Sequence, residues 1–250
     1  DEPLPSFLDV ARHMLRRPAF LHVMLAGGLV SMTAYANFAF TGIFFIRRFD
    51  VPLESAGALF ALCIATPQIV GMAAGGYLTD AALRRGEHWL WLMSAISLIA
   101  AAPFLIAGYL QSSMMMAAAL LLAGNLLAAM HMGPQYSLMH SMLTPRIRAT
   151  AMALTLLVQS AIGLGFGPLL LGVASDAFAS RAFGAGYAET CVAAASKASD
   201  CLSAAAMGVA GALSVMSAVC IWAGIQFILA GRALRAARAH TETGGALQHG

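Results

Sequence analysis

Six stretches without Asp, Glu, Lys or Arg divide the chain, at about Phe20–Ile46, Ala56–Thr79, Trp89–Leu110, Ser113–Leu143, Ala149–Ala174 and Leu202–Ala230. A helix crosses the hydrocarbon core of a bilayer in about 20 residues. The pattern therefore predicts an all-α integral membrane bundle of six transmembrane helices over residues 19–231. Connections are short except for a long outer loop at 175–201. Ahead of the first span, Phe7, Leu8, Ala11, Met14 and Leu15 fall on one helical face beside Arg12, Arg16 and Arg17. That predicts an amphipathic helix on a basic membrane surface, within a linker over residues 1–18. A solvated linker with chance periodicity is the plainer alternative.

Polar positions inside the spans are unevenly spread. Thr33, Asn37 and Thr41 form an i, i+4, i+8 stripe in the first, and the second carries Thr66-Pro67-Gln68. Asn125, His131 and Gln135 lie in the fourth, Thr155 and Gln159 in the fifth. The third has no Asn, Gln or His between Trp89 and Leu110, and the sixth has Gln226 alone, near its end. Buried amides are costly in lipid unless satisfied. Spans one, two, four and five should thus face protein or a wet cavity, and three and six should face lipid. His131 is the one titratable residue near mid-span besides Cys63 and Cys220. An ionisable group at that depth is a functional candidate, although a neutral histidine bonded to Gln135 or a neighbouring helix serves equally well.

Composition agrees with a membrane protein: 60% hydrophobic and 10% charged, against about 25% charged in soluble domains. A net charge of +3 is too small and dispersed to suggest nucleic acid. The basic residues fix an orientation. With six spans, Arg12, Arg16, Arg17, Arg84, Arg85, Arg146, Arg148, Arg232, Arg235 and Arg238 share one side, while Arg47, Arg48, Arg181 and Lys197 take the other. The positive-inside rule then makes both termini cytoplasmic, including a tail at 232–250. Arginine in place of lysine, with abundant alanine, hints at a bacterial inner membrane. The opening DEPLPSFLDV reads as an internal linker more than a natural start. Cys191 and Cys201 share the long outer loop and are disulfide candidates, with two free thiols the alternative. No CxxC, metal-ligand spacing, HExxH, phosphate loop or nucleophile–base pair is present, so no metal, cofactor or enzyme activity is expected.

The stretch Gly75–Gly86, GGYLTDAALRRG, ends the second span with small residues, one acid and a basic turn. It resembles the loop motif of the major facilitator superfamily, which usually has a basic residue where this chain has Ala81. Two more stretches, GPQYSLMHSMLTPRIRATAMAL (Gly133–Leu154) and IGLGFGPLLLGVASDAF (Ile162–Phe178), join FFIRRFDVPLESAG in looking similar to the spinster group of that superfamily. The resemblance covers most of Phe20–Arg238. It implies the C-terminal half of a twelve-helix fold, completed by an N-terminal six-helix bundle, and a proton-coupled carrier of an amphipathic lipid such as a lysophospholipid or sphingoid phosphate. The cavity-lining spans would be the first, second, fourth and fifth. Asn37, Gln68, Gln135 and Gln159, with His131, would meet the headgroup, and Phe40, Phe44 and Met132 the tail. Gly76, Asp80, Arg84 and Arg85 would form the gate. Helix–helix glue is the plainer role for each amide taken alone. A same-fold carrier of a small polar metabolite or drug, and a non-transporting six-helix scaffold or receptor, are the rivals.

Overall fold

The computed structural model describes residues 6–194 and 198–246, with side chains as far as Ala239. Lys197, counted above on the outer side, lies outside the described residues. Helix α1 (Phe7–Leu15) begins at Ser6, whose Oγ accepts the Asp9 N–H at 3.3 Å and donates to the Asp9 carboxylate at 2.6 Å. That donation holds the Asp9 carboxyl below its ordinary range. Val10 and Met14 are buried, whereas Phe7, Leu8 and Leu15 stay exposed.

Six spans follow. The first is α2 (Pro18–Phe49). The second joins α3 (Leu53–Phe60), a π-helical turn at Ala61–Ala65 and α4 (Thr66–Leu83). The third is α5 (His88–Leu110), and the fourth pairs α6 (Met114–Ala129) with α7 (Met132–Ser141). The fifth is α8 (Pro145–Phe183) and the sixth α9 (Ser199–Ala246). All six are long and apolar enough to cross a membrane.

The two interruptions have identifiable causes. Pro134 has no N–H for the Met130 carbonyl, and the helix breaks at Met130–His131. Pro67 likewise cannot donate to the Cys63 carbonyl, and the π-helical turn absorbs the mismatch just before it. Pro168, where the sequence permits a kink, lies within an unbroken α8.

Small residues set the helix separations. An added Cβ at Gly71 would sit 2.6 Å from the Leu126 carbonyl oxygen, and one at Gly75 would lie 3.0 Å from Met130 Cα. The second span therefore crosses the fourth in backbone contact, as small residues four apart allow.

The third and sixth spans are the most enclosed within this half, 50% and 56% buried over their most apolar windows, yet Ile96 and Phe104 of the third and Val215, Trp222 and Ile225 of the sixth keep an apolar outer face exposed. Helix α9 packs on α2, α5 and α8, with Gly224 against the Ala95 backbone and Gly208 against Ser175. Polarity located the wet spans but said nothing of these small-residue contacts. The long connection is shorter than 175–201, because α8 continues through Ser175 and Ala179, both buried, to Phe183. Gly184 ends it at φ 96°. Asp176 thus marks a change of polarity, not the end of the helix. Cys191 and Cys201 are joined by a disulfide, Cα atoms 5.4 Å apart, which ties this connection to the start of α9. They pack with Ala179, Tyr187 and Ala204 in a small apolar cluster.

Candidate functional site

The four polar spans meet around a central cavity of about 260 Å³. Asn37, Gln68, His131, Met132, Gln135 and Gln159, singled out in the sequence, all line it. Among the described residues no Asp, Glu, Lys or Arg does, so the cavity offers hydrogen bonds and apolar contact rather than fixed charge.

Each polar group is placed by its helix. Asn37 is buried, and its Oδ1 accepts from Tyr109 Oη at 3.2 Å, leaving Nδ2 as the donor toward the cavity. The hydroxyls of its stripe-mates are spent on helix packing, although Thr33 also lines the cavity. Thr33 donates to the Leu29 and Met216 carbonyls at 3.1 and 3.3 Å, and Thr41 contacts Tyr109 Oη at 3.0 Å. His131 sits at the break in the fourth span, and its Nδ1 is bonded to the Ala128 carbonyl. A carbonyl only accepts, so Nδ1 carries the hydrogen and Nε2 of the neutral ring is an acceptor. Gln135 and Gln159 are 3% and 6% exposed, and Oε1 of the first and Nε2 of the second have no hydrogen-bond partner among the described residues. Both amides lie over Gly27, where any Cβ would collide with Gln159. Two buried, unpaired amide groups in one cavity mark a place built to be wet or occupied.

Two residues expected here are elsewhere. Phe44 is fully buried among Phe45, Phe49 and Tyr109, with ring centroids 5.2–5.7 Å apart, and does not line the cavity. Phe40 is partly buried and points at α8 near Gly172. Tyr35, Phe38, Asn125, Tyr136 and Cys220 line the cavity but were not picked as site residues. Ser31, Tyr35 and Phe38 recur at i, i+4, i+7, which would have exposed that face of α2. Asn125 donates Nδ2 to its own helix at the Leu121 carbonyl, 2.8 Å away, leaving Oδ1 as the acceptor.

The Gly76, Asp80, Arg84 and Arg85 set closes α4. Asp80, Arg84 and Arg85 are exposed, and a Cβ on Gly76 would meet nothing within 4 Å. The structure does not bring this set to the cavity.

A profile of the Major Facilitator Superfamily matches residues 2–168. An MFS-type efflux pump of Mycolicibacterium smegmatis is 23% identical over 216 residues, covering 84% of this chain and 45% of the pump. Among solved structures, a bacterial homolog of the human lysosomal transporter Spinster, inward-facing and unoccupied, superposes with a TM-score of 0.77 at 26% identity. That match covers 93% of this chain and 52% of the homolog. A bacterial Spinster homolog in the inward-facing, occupied conformation matches with a TM-score of 0.70 at 25% identity, over 87% of this chain and 50% of that one. The chain thus spans about half the length of the proteins it matches.

Proposed function

This chain belongs to the Major Facilitator Superfamily, is spinster-like in structure, and forms a six-helix half of that fold; from this we propose that it is the C-terminal half of an alternating-access secondary transporter for an amphipathic lipid. Its partner is an N-terminal six-helix bundle, and the cargo site lies between the two halves near the bilayer midplane. The observation that carries the reading is the central cavity. It holds unpaired amides at Gln135 and Gln159, next to apolar and aromatic lining from Val30, Tyr35, Phe38 and Leu156. A molecule with a hydrogen-bonding head and an apolar tail, such as a lysophospholipid or sphingoid phosphate, matches both parts.

The remaining roles belong to the same proposal. With no carboxylate on the cavity wall, the acid for proton coupling is assigned to the partner bundle. Asp80, with Gly76, Arg84 and Arg85, serves as a gate that docks on that bundle, a carboxylate near a helix N-terminus there contributing about 0.3–1 kcal/mol. The arginine-rich side faces the cytoplasm of a bacterial inner membrane.

The test is lysophospholipid flux by the full-length transporter in proteoliposomes, with and without an imposed pH gradient. Gradient-dependent flux is expected. The similarity to an efflux pump favours a second reading, in which the same cavity exports a drug-like amphiphile. Gradient-driven dye export without lipid flux would select it. Flux of neither would sink both.

A further inference from the structure

A second pocket lies at the basic end of the bundle and takes no part in the transport reading. It encloses about 480 Å³ between the α1–α2 junction, the residues just after α7, and α9. Its rim carries Arg16, Arg17 and Arg238, and Met142, Ala233 and Leu234 give it an apolar floor. Among the described residues, no carboxylate lines it.

The guanidiniums are held in different ways. Arg17 donates Nη1 to the Met142 carbonyl at 2.9 Å, which anchors it at the pocket wall. Arg238 is paired with Glu87 at the start of the third span. Arg16 and Arg17 make no ion pair with a described carboxylate and are exposed. Depth is marked by neighbouring residues. Phe7, Leu8 and Leu15 of α1 are exposed apolar side chains suited to the acyl boundary. One turn from the pocket, Arg235 stacks on the buried Trp91 at 4.8 Å, which holds a further guanidinium at this end of the bundle.

We infer that this pocket seats the phosphate headgroup of an anionic phospholipid from the leaflet on the basic side. The phosphodiester oxygens meet Arg16 and Arg17, and the glycerol backbone and upper acyl chains lie on the Met142–Leu234 floor. Charge complementarity and the apolar floor select a lipid over a soluble anion, which would leave that floor wet. The occupied pocket would tie α1 to α9.

The experiment uses the full-length transporter in phosphatidylcholine nanodiscs doped with phosphatidylglycerol, with retained lipid counted by native mass spectrometry. Phosphatidylglycerol should be retained over phosphatidylcholine, and Arg16→Gln should lower its retention about fivefold, the effect of one interfacial arginine. Arg16→Gln leaves the Arg17–Met142 bond in place, and an unchanged melting temperature would show the fold intact. Arg47→Gln, at the opposite end of the bundle, should retain lipid as the wild type does. Equal retention of both lipids, an unaffected Arg16→Gln, or the same fall in Arg47→Gln overturns the proposal. Displacement of the lipid by millimolar inorganic phosphate would also overturn it, in favour of a soluble anion. None of these outcomes depends on cargo flux, so the transport reading stands or falls separately.

Discussion

Tyr109, on the third span, donates its hydroxyl to Oδ1 of Asn37, on the first, at 3.2 Å. Its single proton is thereby committed, so the 3.0 Å contact with Thr41 is a bond donated by the threonine. Tyr109 has no solvent exposure. A span that reads as featureless and apolar thus carries the group that orients one of the cavity amides.

Tyr109→Phe should separate orientation from packing. It preserves the edge-on contact with Phe44 but leaves the buried Asn37 oxygen without its donor, a loss of about 1–3 kcal/mol. The full-length protein is expected to melt several degrees lower, and its KM for cargo to rise more than its turnover falls. An unchanged KM would reduce Tyr109 to a packing residue.

Neighbouring glycines should respond in opposite ways. Gly75→Ala forces a methyl against the Met130 backbone, where the second span crosses the fourth, whereas Gly76→Ala points into open space. The first should lose folded protein in detergent, read by size-exclusion chromatography. The second should elute as wild type does. A transport defect confined to Gly76→Ala would then report contact with the partner bundle.

Removing the Cys191–Cys201 bridge should loosen the connection between the fifth and sixth spans. The bridge closes a loop with a sequence separation of 10, and closing a loop of that size contributes about 2–3 kcal/mol. Cys191→Ser/Cys201→Ser is expected to melt lower and to be cut faster by protease near Gly184–Gly186, while cargo binding is retained. Equal protease sensitivity would mean that the Tyr187–Ala204 cluster holds the connection without help.

The span count and the wet face were legible because charge exclusion and amide placement act on single residues: Asn37, Gln68, Gln135 and Gln159 announce themselves. Pair relationships were not. Phe44 was expected along the cargo tail, but the partner that buries it, Tyr109, lies on another span. Gly208 and Gly224, which draw α9 inward, have no polarity to mark them. The basic pocket was invisible for the same reason, since Arg16 and Arg238 meet only after the chain has crossed the membrane six times.

Asp80→Asn should leave this half untouched. The carboxylate is exposed on the last turns of α4 and makes no hydrogen bond or ion pair among the described residues. Folding and lipid retention should therefore match wild type while the transport rate drops. Wild-type flux would remove the gating role.

Gln159→Leu should trade function for stability. The Gln159 Nε2 group is buried without a partner, and replacing an unsatisfied polar group by an apolar one of similar volume relieves its desolvation cost. The variant is expected to melt at or above the wild-type temperature, yet to lose most cargo affinity, because the group was kept for a ligand or its water. Gln159→Glu should also lose affinity, since the wall would present an acceptor and a charge where a donor stood. A Gln159→Leu protein that melts lower and transports normally would show the amide to be interhelical glue, with its partner supplied by the other bundle. Functional groups in such a cavity are recognisable as those whose removal helps the fold and harms the activity.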